Sequence, residues 1–332
     1  KLPGLLTGRE SALDALFPNG SFELTEFLYE TGAVARYLNG IVRTAVSSAS
    51  ASVAFDKVRV LEVGAGTGGT TSAVLPALLP DRTSYWYTDV SDLFLARAQR
   101  KFAAYPFVKY GLLDLERDPI EQGFPARGFD VILGANIVHA TSNLATSLGR
   151  LRSLLAPGGV VVLLETTTDQ GWFDITTGLI EGWQAFTDGI REDSPLVPAA
   201  GWREAFLRQG FERVVSLPES GSLAEILGAH ILIGRAPASG TLSAADVAAR
   251  QQLDLAVASA PKAGLETDAV QAEALVQRLS AALPDDRHEG LVEFVRDHVA
   301  AVLRADRSTM PDRRGRLMDL GLDSLMAVEL RN

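Results

Sequence analysis

The 332-residue sequence contains no cysteine and only four histidines, His139, His230, His288 and His298. Without cysteine, the chain cannot form a disulfide, a thiolate zinc site or an iron–sulfur cluster, and it has no cysteine nucleophile. No two histidines have the spacing of a helical metal site. We therefore expect no metal centre in this protein.

Positive charge and long apolar runs are also scarce. The net charge of −10 and the pI of about 5.0 argue against binding to nucleic acid. The longest apolar run, residues 159–164, is far shorter than the roughly 18 residues that span a membrane. No secretory signal is visible, so we expect a cytoplasmic protein. The start at Lys1 and the abrupt end at Asn332 suggest a segment of a longer chain.

Changes in composition divide the chain into four segments. Residues 1–56 have helical spacing of apolar residues, with a serine- and alanine-rich break at 47–52. Residues 57–236 alternate short apolar runs with helical patterns. Residues 237–284 resemble a partly helical linker, and residues 285–332 form a separate helical unit.

Seven short apolar runs in the second segment predict strands. They are Arg59–Val63, Ser84–Thr88, Val108–Leu112, Phe129–Gly134, Val160–Thr166, Glu212–Leu217 and His230–Arg235. Continuous apolar strands separated by helices indicate an α/β fold with a parallel sheet covered on both faces. The short separation of the last two strands favours a hairpin at the sheet edge.

A glycine-rich loop follows the first strand and opens a helix. Gly64, Gly66 and Gly69 satisfy the Gly-x-Gly-x-x-Gly pattern, which alone equally suggests a dinucleotide. A tight turn without a ligand also fits the pattern. Glu62 lies two residues before the first glycine, where a carboxylate would repel a pyrophosphate but suits a cationic ligand.

Two more acids end the second and third strands. Asp89 is placed to accept hydrogen bonds from ribose hydroxyls, and Asp114 is placed to face an adenine amino group. Each acid alone also fits a helix N-cap. Three acids at successive strand ends favour a ligand site, because ligands bind at the carboxyl ends of parallel strands.

A dehydrogenase interpretation depends on the Tyr-x-x-x-Lys pair formed by Tyr105 and Lys109. That pair must lie on one helix face. Pro106 lies inside it and a strand follows, so helical presentation is not expected.

The motif Glu62-Val63-Gly64-Ala65-Gly66-Thr67-Gly68, with Tyr87-Thr88-Asp89 and Leu113-Asp114, resembles class I S-adenosylmethionine-dependent methyltransferases over residues 57–236. The resemblance implies a Rossmann-like seven-stranded sheet. It also implies that the glycine loop contacts the amino acid part of the cofactor, Asp89 the ribose and Asp114 the adenine. The expected cofactor-binding residues are Glu62, Gly64, Gly66, Gly68, Asp89, Asp114, Leu115, Asn136, Tyr29 and Tyr37.

The fourth and fifth strands supply a candidate catalytic pair. His139 follows the fourth strand and Glu165 ends the fifth, so both lie where substrate would meet cofactor. Methyl transfer needs a nucleophile, and a weak nucleophile benefits from a base such as histidine. Glu165 would orient the imidazole and stabilise its charged form. A hydrogen-bonded loop histidine and a solvated strand-end glutamate are the alternatives.

Residues 139–141, 151–159 and 163–165 narrow the resemblance to methyltransferase domains embedded in modular polyketide synthases, which carry a catalytic histidine and glutamate at these two positions. The resemblance implies that the N-terminal helices carrying Tyr29 and Tyr37 form a lid over the cofactor, although packing explains these residues equally well. Trp183 and Phe186 would wall an acyl pocket, although buried core packing explains them equally well.

The string from Asp319 to Arg331 resembles the acyl-carrier-protein motif, with Ser324 at the serine that carries phosphopantetheine. Because the chain stops at Asn332, we expect a truncated, partial all-α carrier domain. The expected partners are a carrier-linked polyketide intermediate and neighbouring synthase domains.

The order of the segments bears on the atom that is methylated. A linker of about 50 residues leaves no room for a reductase, and in modular synthases a methyltransferase just before the carrier often methylates a β-oxygen. We therefore expect O-methylation of a β-hydroxyl or enol, with S-adenosylhomocysteine as the second product. The alternatives are α-carbon methylation, a non-catalytic scaffold and a small-molecule methyltransferase unrelated to synthases.

Overall fold

The computed structural model of the protein describes residues 2–7, 9, 21–171, 177–179, 183–255, 277 and 284–303. Within these ranges the strands are β1 (Val58–Val63), β2 (Thr83–Asp89), β3 (Val108–Leu112), β4 (Phe129–Ala135), β5 (Leu155–Thr166), β6 (Arg213–Leu217) and β7 (Ala229–Arg235). The helices are α1 (Leu2–Leu6), α2 (Glu23–Glu26), α3 (Ala33–Ala51), α4 (Gly69–Val74), α5 (Asp92–Lys101), α6 (Leu144–Leu154), α7 (Ala199–Arg208), α8 (Ala244–Leu255) and α9 (Pro284–Leu303). A π-helical turn, Phe27–Thr31, joins α2 to α3.

All seven strands form one sheet in the order β3-β2-β1-β4-β5-β7-β6. Strands β1 to β5 pair in parallel, whereas β7 runs antiparallel to both β5 and β6. The predicted seven-stranded sheet and the edge hairpin are therefore confirmed. β5 begins at Leu155, five residues earlier than predicted, because Leu155 pairs with Phe129 ahead of the Pro-Gly-Gly sequence.

Apolar side chains on both faces of the sheet explain why the chain folds around it. One face packs against α6 and α7 through residues such as Leu151 and Phe206, both fully buried. The other face packs against α3 and α5 through residues such as Val46 and Leu95. Burial of an aliphatic or aromatic side chain stabilises the fold by about 1.5–3 kcal/mol.

The N-terminal segment contributes to both the core and the site. Val42 and Val46 of α3 are buried against the sheet, so α3 is a layer of the core. The expected flexible break at 47–52 is wrong, because α3 continues to Ala51 and Ser50 is buried. α2 and the π-helical turn (residues 23–31) lie beside the glycine loop, where Glu26 and Glu30 line one cavity with Gly66 and Thr67, and we call this segment the lid.

Helix α8 lies in the segment for which the sequence predicts a linker, yet it is anchored to the sheet by buried ion pairs. Arg250 Nη2 lies 2.6 Å from Asp130 Oδ1, and Arg59 Nη2 lies 2.5 Å from Asp254 Oδ2. The two sheet residues belong to the amino ends of β1 and β4. Lys109 also donates to the backbone carbonyls of residues 253 and 254 at the end of α8.

The last described element is α9. The predicted carrier motif, including Ser324, lies outside the described residues. Among those described, no helix is both long enough and apolar enough to cross a membrane.

Candidate active site

The glycine loop connects β1 to α4 with three residues in the left-handed region. Gly64, Gly66 and Gly68 have φ angles of 58°, 57° and 75°, a conformation that L side chains rarely adopt. A Cβ at Gly64 would lie 2.5 Å from Ile137 Cγ1, whereas a Cβ at Gly66 would meet nothing within 4 Å. The space that a Gly66 side chain would occupy is therefore open, which leaves room for a ligand close to the loop.

Asp89 supports this loop from the end of β2. Its Oδ2 accepts the Gly66 backbone N–H at 2.8 Å, and its Oδ1 accepts the Ser91 N–H at 3.0 Å. The Tyr87 hydroxyl donates to the Gly66 carbonyl at 2.6 Å. The predicted ribose-binding acid is thus held directly beside the loop, and its role toward ribose stays a prediction.

Glu62 lies beneath the loop and is 1% exposed. Its Oε2 accepts hydrogen bonds from the hydroxyls of Thr71 and Tyr85, each at 2.6 Å. Burial raises the pKa of Glu62 to about 7, and these two hydrogen bonds only partly offset that increase. A carboxylate with this pKa would ionise more readily beside a cationic ligand.

Asp114 and Leu115 follow β3, at the same edge of the sheet. Asp114 Oδ1 accepts the Glu116 backbone N–H at 2.8 Å, which holds the turn after the strand. Leu115 is buried, and its carbonyl accepts a hydrogen bond from Arg150 Nη1 at 2.6 Å. Their expected contacts with adenine stay predictions.

His139 and Glu165 meet as predicted from the strand ends. His139 lies in a 3₁₀ turn after β4, Val138–Ala140, and its Nδ1 is 2.5 Å from Glu165 Oε2. Glu165 Oε1 accepts the backbone N–H of Val138 at 3.0 Å. The two side chains are 3% and 0% exposed, so their interaction is shielded from water. We call this pair the dyad.

Asn136 precedes the dyad in an unusual backbone conformation. Its φ of 52° is uncommon for a residue with a side chain. Its Oδ1 accepts hydrogen bonds from the backbone N–H and the hydroxyl of Thr166 at 2.9 and 3.0 Å. Asn136 therefore ties the end of β5 to the loop that carries His139, and its predicted contact with the cofactor stays a prediction.

The aromatic residues predicted to wall the acyl pocket lie near the dyad. The Trp183 ring packs edge-on against His139, with 5.6 Å between centroids. Phe186 lies under the Arg191 guanidinium, whose carbon is 5.0 Å from the ring centroid. Sequence reasoning missed Arg191, which contacts the dyad loop, and its ion-pair partner Asp188. The i, i+3 spacing of these two residues carries no signal here because they do not lie on a helix, and no local pattern predicts the contact with His139.

The backbone carbonyl of Tyr29, in the lid, lies next to Gly69 at the end of the glycine loop. Asn39 of α3 donates to the Tyr29 carbonyl at 2.8 Å and accepts from the Thr70 hydroxyl at 2.9 Å. Tyr29 is partly buried, and a Cβ at Gly69 would lie 2.5 Å from its carbonyl oxygen. By contrast, Tyr37 is 49% exposed.

Two ion pairs join the lid to α5. Glu26 pairs with Arg97 at 2.9 Å, and Glu30 pairs with Lys101 at 2.5 Å. A cavity of about 540 Å³ lies between them, within the range of small-molecule sites. Its lining includes these four side chains together with Gly66 and Thr67 of the glycine loop. Gly66 is the one residue of this lining that is also predicted to bind the cofactor, so the cavity adjoins the candidate cofactor site at the glycine loop.

The Tyr105–Lys109 pair, for which the sequence predicts no helical presentation, is not part of this site. Tyr105 precedes β3 and Lys109 lies within it, so the pair is not presented on a helix and the dehydrogenase arrangement is absent. Among the described residues, no group of three or more histidine, aspartate and glutamate side chains could hold a metal ion.

Comparison with known proteins matches this architecture to methyltransferases. A methyltransferase domain model matches residues 61–161. The crystal structure of the CurJ carbon methyltransferase is 42% identical, with a TM-score of 0.67 over 71% of this chain and 64% of that one. The citrinin polyketide synthase CMeT domain is 31% identical, with a TM-score of 0.64 over 72% of this chain and 62% of that one.

Full-length relatives are far larger. The chain is 35% identical to polyketide synthase ThaG of Burkholderia thailandensis, over 98% of this chain but only 6% of the synthase. It is 34% identical to polyketide synthase PksM of Bacillus subtilis, over 64% of this chain and 5% of that protein. The fold and the glycine-loop site define a class I methyltransferase. More narrowly, the chain contains an S-adenosylmethionine-dependent methyltransferase domain of the kind found in polyketide synthases.

Proposed function

We propose that this domain methylates the α-carbon of a β-ketoacyl chain presented as a thioester on an acyl carrier protein. The observation that carries the proposal is the buried dyad, His139 with Glu165, beyond adjacent strand ends and beside the glycine loop. Ile137 connects the two, since it packs against Gly64 and its neighbour Val138 donates to Glu165. The CurJ, DszA and citrinin synthase structures, 31–42% identical, are named as carbon methyltransferases or a CMeT domain, which supports carbon as the acceptor.

The residues around the glycine loop fit S-adenosylmethionine. Open space in front of Gly66 leaves room for the ligand, and the Glu62 carboxylate beneath the loop suits its positive charge. Asp89 would hold the ribose, and Asp114 with Leu115 the adenine. When bound, the cofactor supplies an electrophilic methyl group on a sulfonium sulfur.

The dyad would generate the nucleophile. As a carboxylate, Glu165 would accept a hydrogen bond from His139 Nδ1 across the short contact, which would leave Nε2 as the basic nitrogen. Nε2 would take the acidic α-proton, and the electron pair left on that carbon would form the bond to the methyl carbon as the sulfur–methyl bond breaks. Glu165 would stabilise the resulting imidazolium.

The acyl chain would enter past Trp183, whose ring edge packs on His139. In the intact synthase we expect it on a phosphopantetheine arm, for which Ser324 is the predicted attachment residue in this chain. Neighbouring synthase domains would supply and remove that intermediate.

O-methylation of a β-hydroxyl is the second candidate. The order of the sequence favours it, because the segment between this domain and the carrier motif is too short to hold a reductase domain. The same dyad would deprotonate the hydroxyl. The carbon methyltransferase relatives favour carbon over this oxygen assignment, so we place it second.

The test offers the chain two pantetheine thioesters, a β-ketoacyl and a β-hydroxyacyl compound, with S-adenosylmethionine. Tandem mass spectrometry would locate the added methyl group. Methylation at the α-carbon of the ketoacyl compound supports the proposal, whereas methylation only at the hydroxyl oxygen would replace it with the second candidate. Cofactor binding by calorimetry without turnover of either compound would favour a non-catalytic scaffold.

A further inference from the structure

Arg191 contacts the backbone of the turn that carries His139. Its Nη1 donates to the His139 carbonyl at 2.6 Å, and its Nη2 donates to the Thr141 carbonyl at 2.8 Å. The guanidinium therefore bridges two carbonyls on either side of residue 140. Its planar fork can satisfy both at once, which an ammonium group cannot do with the same geometry.

Asp188 fixes the guanidinium in turn. Its Oδ2 is 2.6 Å from Arg191 Nη2 and also accepts the Leu144 backbone N–H at the start of α6, at 2.8 Å. The side chains of Arg191 and Asp188 are 0% and 1% exposed. A buried arginine is costly unless its charge is compensated. The ion pair and the two carbonyls compensate this one and attach the dyad turn to α6.

We propose that Arg191 is a positioning residue that holds the His139 turn so that Nδ1 stays in contact with Glu165 and Nε2 faces the substrate. The inference rests on the proposed role of His139 as the base. Glu165 fixes the dyad from β5, through the backbone N–H of Val138. Arg191 fixes the same turn through a second backbone group, the carbonyl of His139. His139 is thus held both at its ring nitrogen Nδ1 and at its backbone carbonyl.

This role predicts a loss of turnover without a loss of cofactor binding. The described side-chain hydrogen bonds of Arg191 go to His139, Thr141 and Asp188, and none of these three is among the residues predicted to bind the cofactor. A misplacement of about 1 Å at a catalytic group can cost about 100-fold in rate. We therefore expect Arg191→Met to lower kcat by about 10- to 100-fold and to leave the Kd for S-adenosylmethionine within about twofold.

The experiment measures kcat with the methylated thioester as product, Kd by calorimetry and Tm for Arg191→Met, Arg191→Lys and the control Arg208→Met. Arg208 makes an ion pair with Glu204 on the exposed face of α7, so its replacement removes the same kind of side chain away from the site. We expect Arg191→Lys, which keeps the charge but not the fork, to have an intermediate kcat. The control should match the unmodified chain.

A general structural role would lower Tm, cofactor affinity and kcat together. The inference is overturned if the kcat of Arg191→Met stays within about twofold of the unmodified value, or if Kd rises as much as kcat falls. If Arg191→Met does not fold, Arg191→Lys carries the test, because it keeps the charge beside Asp188 while losing the planar fork, and its kcat should fall while its Kd stays within about twofold. His139→Ala, measured in parallel, distinguishes this inference from the proposed function. Near-normal turnover in that variant would show that His139 is not the base, independently of the result for Arg191→Met.

Discussion

The Tyr85 hydroxyl donates to Glu62 Oε2 at 2.6 Å across neighbouring strands, and Thr71 donates to the same oxygen at 2.6 Å. The carboxyl is 1% exposed. Because burial outweighs these hydrogen bonds, the pKa of Glu62 rises from 4.5 to about 7. This acid is therefore the group beneath the glycine loop whose charge changes near neutral pH.

The raised pKa makes the stability of the cofactor-free protein depend on pH. Between pH 4.5 and about 7 the folded state binds more protons at Glu62 than the unfolded state. Stability from this group is therefore present at low pH and lost as pH rises through about 7. The shift corresponds to about 3 kcal/mol. We expect Glu62→Gln, measured by urea unfolding, to be more stable than the unmodified chain at pH 8 but not at pH 5. An equal difference at both pH values would contradict the assignment.

We expect substitutions in the dyad to lower turnover while leaving cofactor binding intact. His139→Ala removes the base and Glu165→Gln removes the negative charge that stabilises the imidazolium, so we expect each to lower kcat, by about 10²- to 10⁴-fold for the histidine. Calorimetry should still detect binding of S-adenosylmethionine to both variants. Turnover close to normal in His139→Ala would exclude histidine as the base.

We expect the ion pairs between the lid and α5 to slow the release of S-adenosylhomocysteine. Glu26 and Glu30 each pair with a cation of α5, and such partly exposed pairs contribute about 0.2–1 kcal/mol each. Because the lid lies over the cavity, Glu26→Gln with Glu30→Gln should accelerate release of S-adenosylhomocysteine by a few-fold, measured by stopped-flow displacement. Raised salt should have a similar effect on the unmodified chain. Glu204→Gln, at an exposed residue of α7, serves as the control. An unchanged release rate in the double variant would contradict a role of these ion pairs in holding the lid over the cavity.

The ion pair between Arg250 and Asp130 predicts that α8 stabilises the core. Their side chains are 3% and 5% exposed, and removal of one partner leaves a buried charge. We expect Arg250→Met to lower the free energy of unfolding by about 3–5 kcal/mol. Adding Asp130→Asn should restore part of that loss, since the unpaired charge is then gone. If Arg250→Met proves as stable as Arg208→Met, α8 is not part of the folding unit.

The strands and the loop were predictable because their signals are local. Seven apolar runs gave the sheet within a few residues, and Gly64 and Gly66 marked the loop directly. The relation of His139 to Glu165 could be anticipated from adjacent strand ends, although their 2.5 Å separation could not.

The remaining features depend on contacts between residues far apart in the chain. The serine-rich end of α3 resembles a break in sequence, but Ser50 is buried where the helix packs on the sheet. Arg191 approaches His139 from 52 residues away. Likewise, Arg250 identifies α8 as part of the core only through Asp130, which lies 120 residues earlier. Local periodicity carries no signal for such pairs.

The ion pairs of α8 also locate this helix at one pole of the sheet. Arg59 and Asp130 lie at the amino ends of their strands, whereas the glycine loop and Glu165 lie at the carboxyl ends. With a rise of about 3.3 Å per residue, these two poles are separated by about 20 Å along β1. Helix α8 is therefore attached to the end of the sheet opposite the dyad, so substitutions that loosen it test the stability of the fold without touching the groups proposed to react.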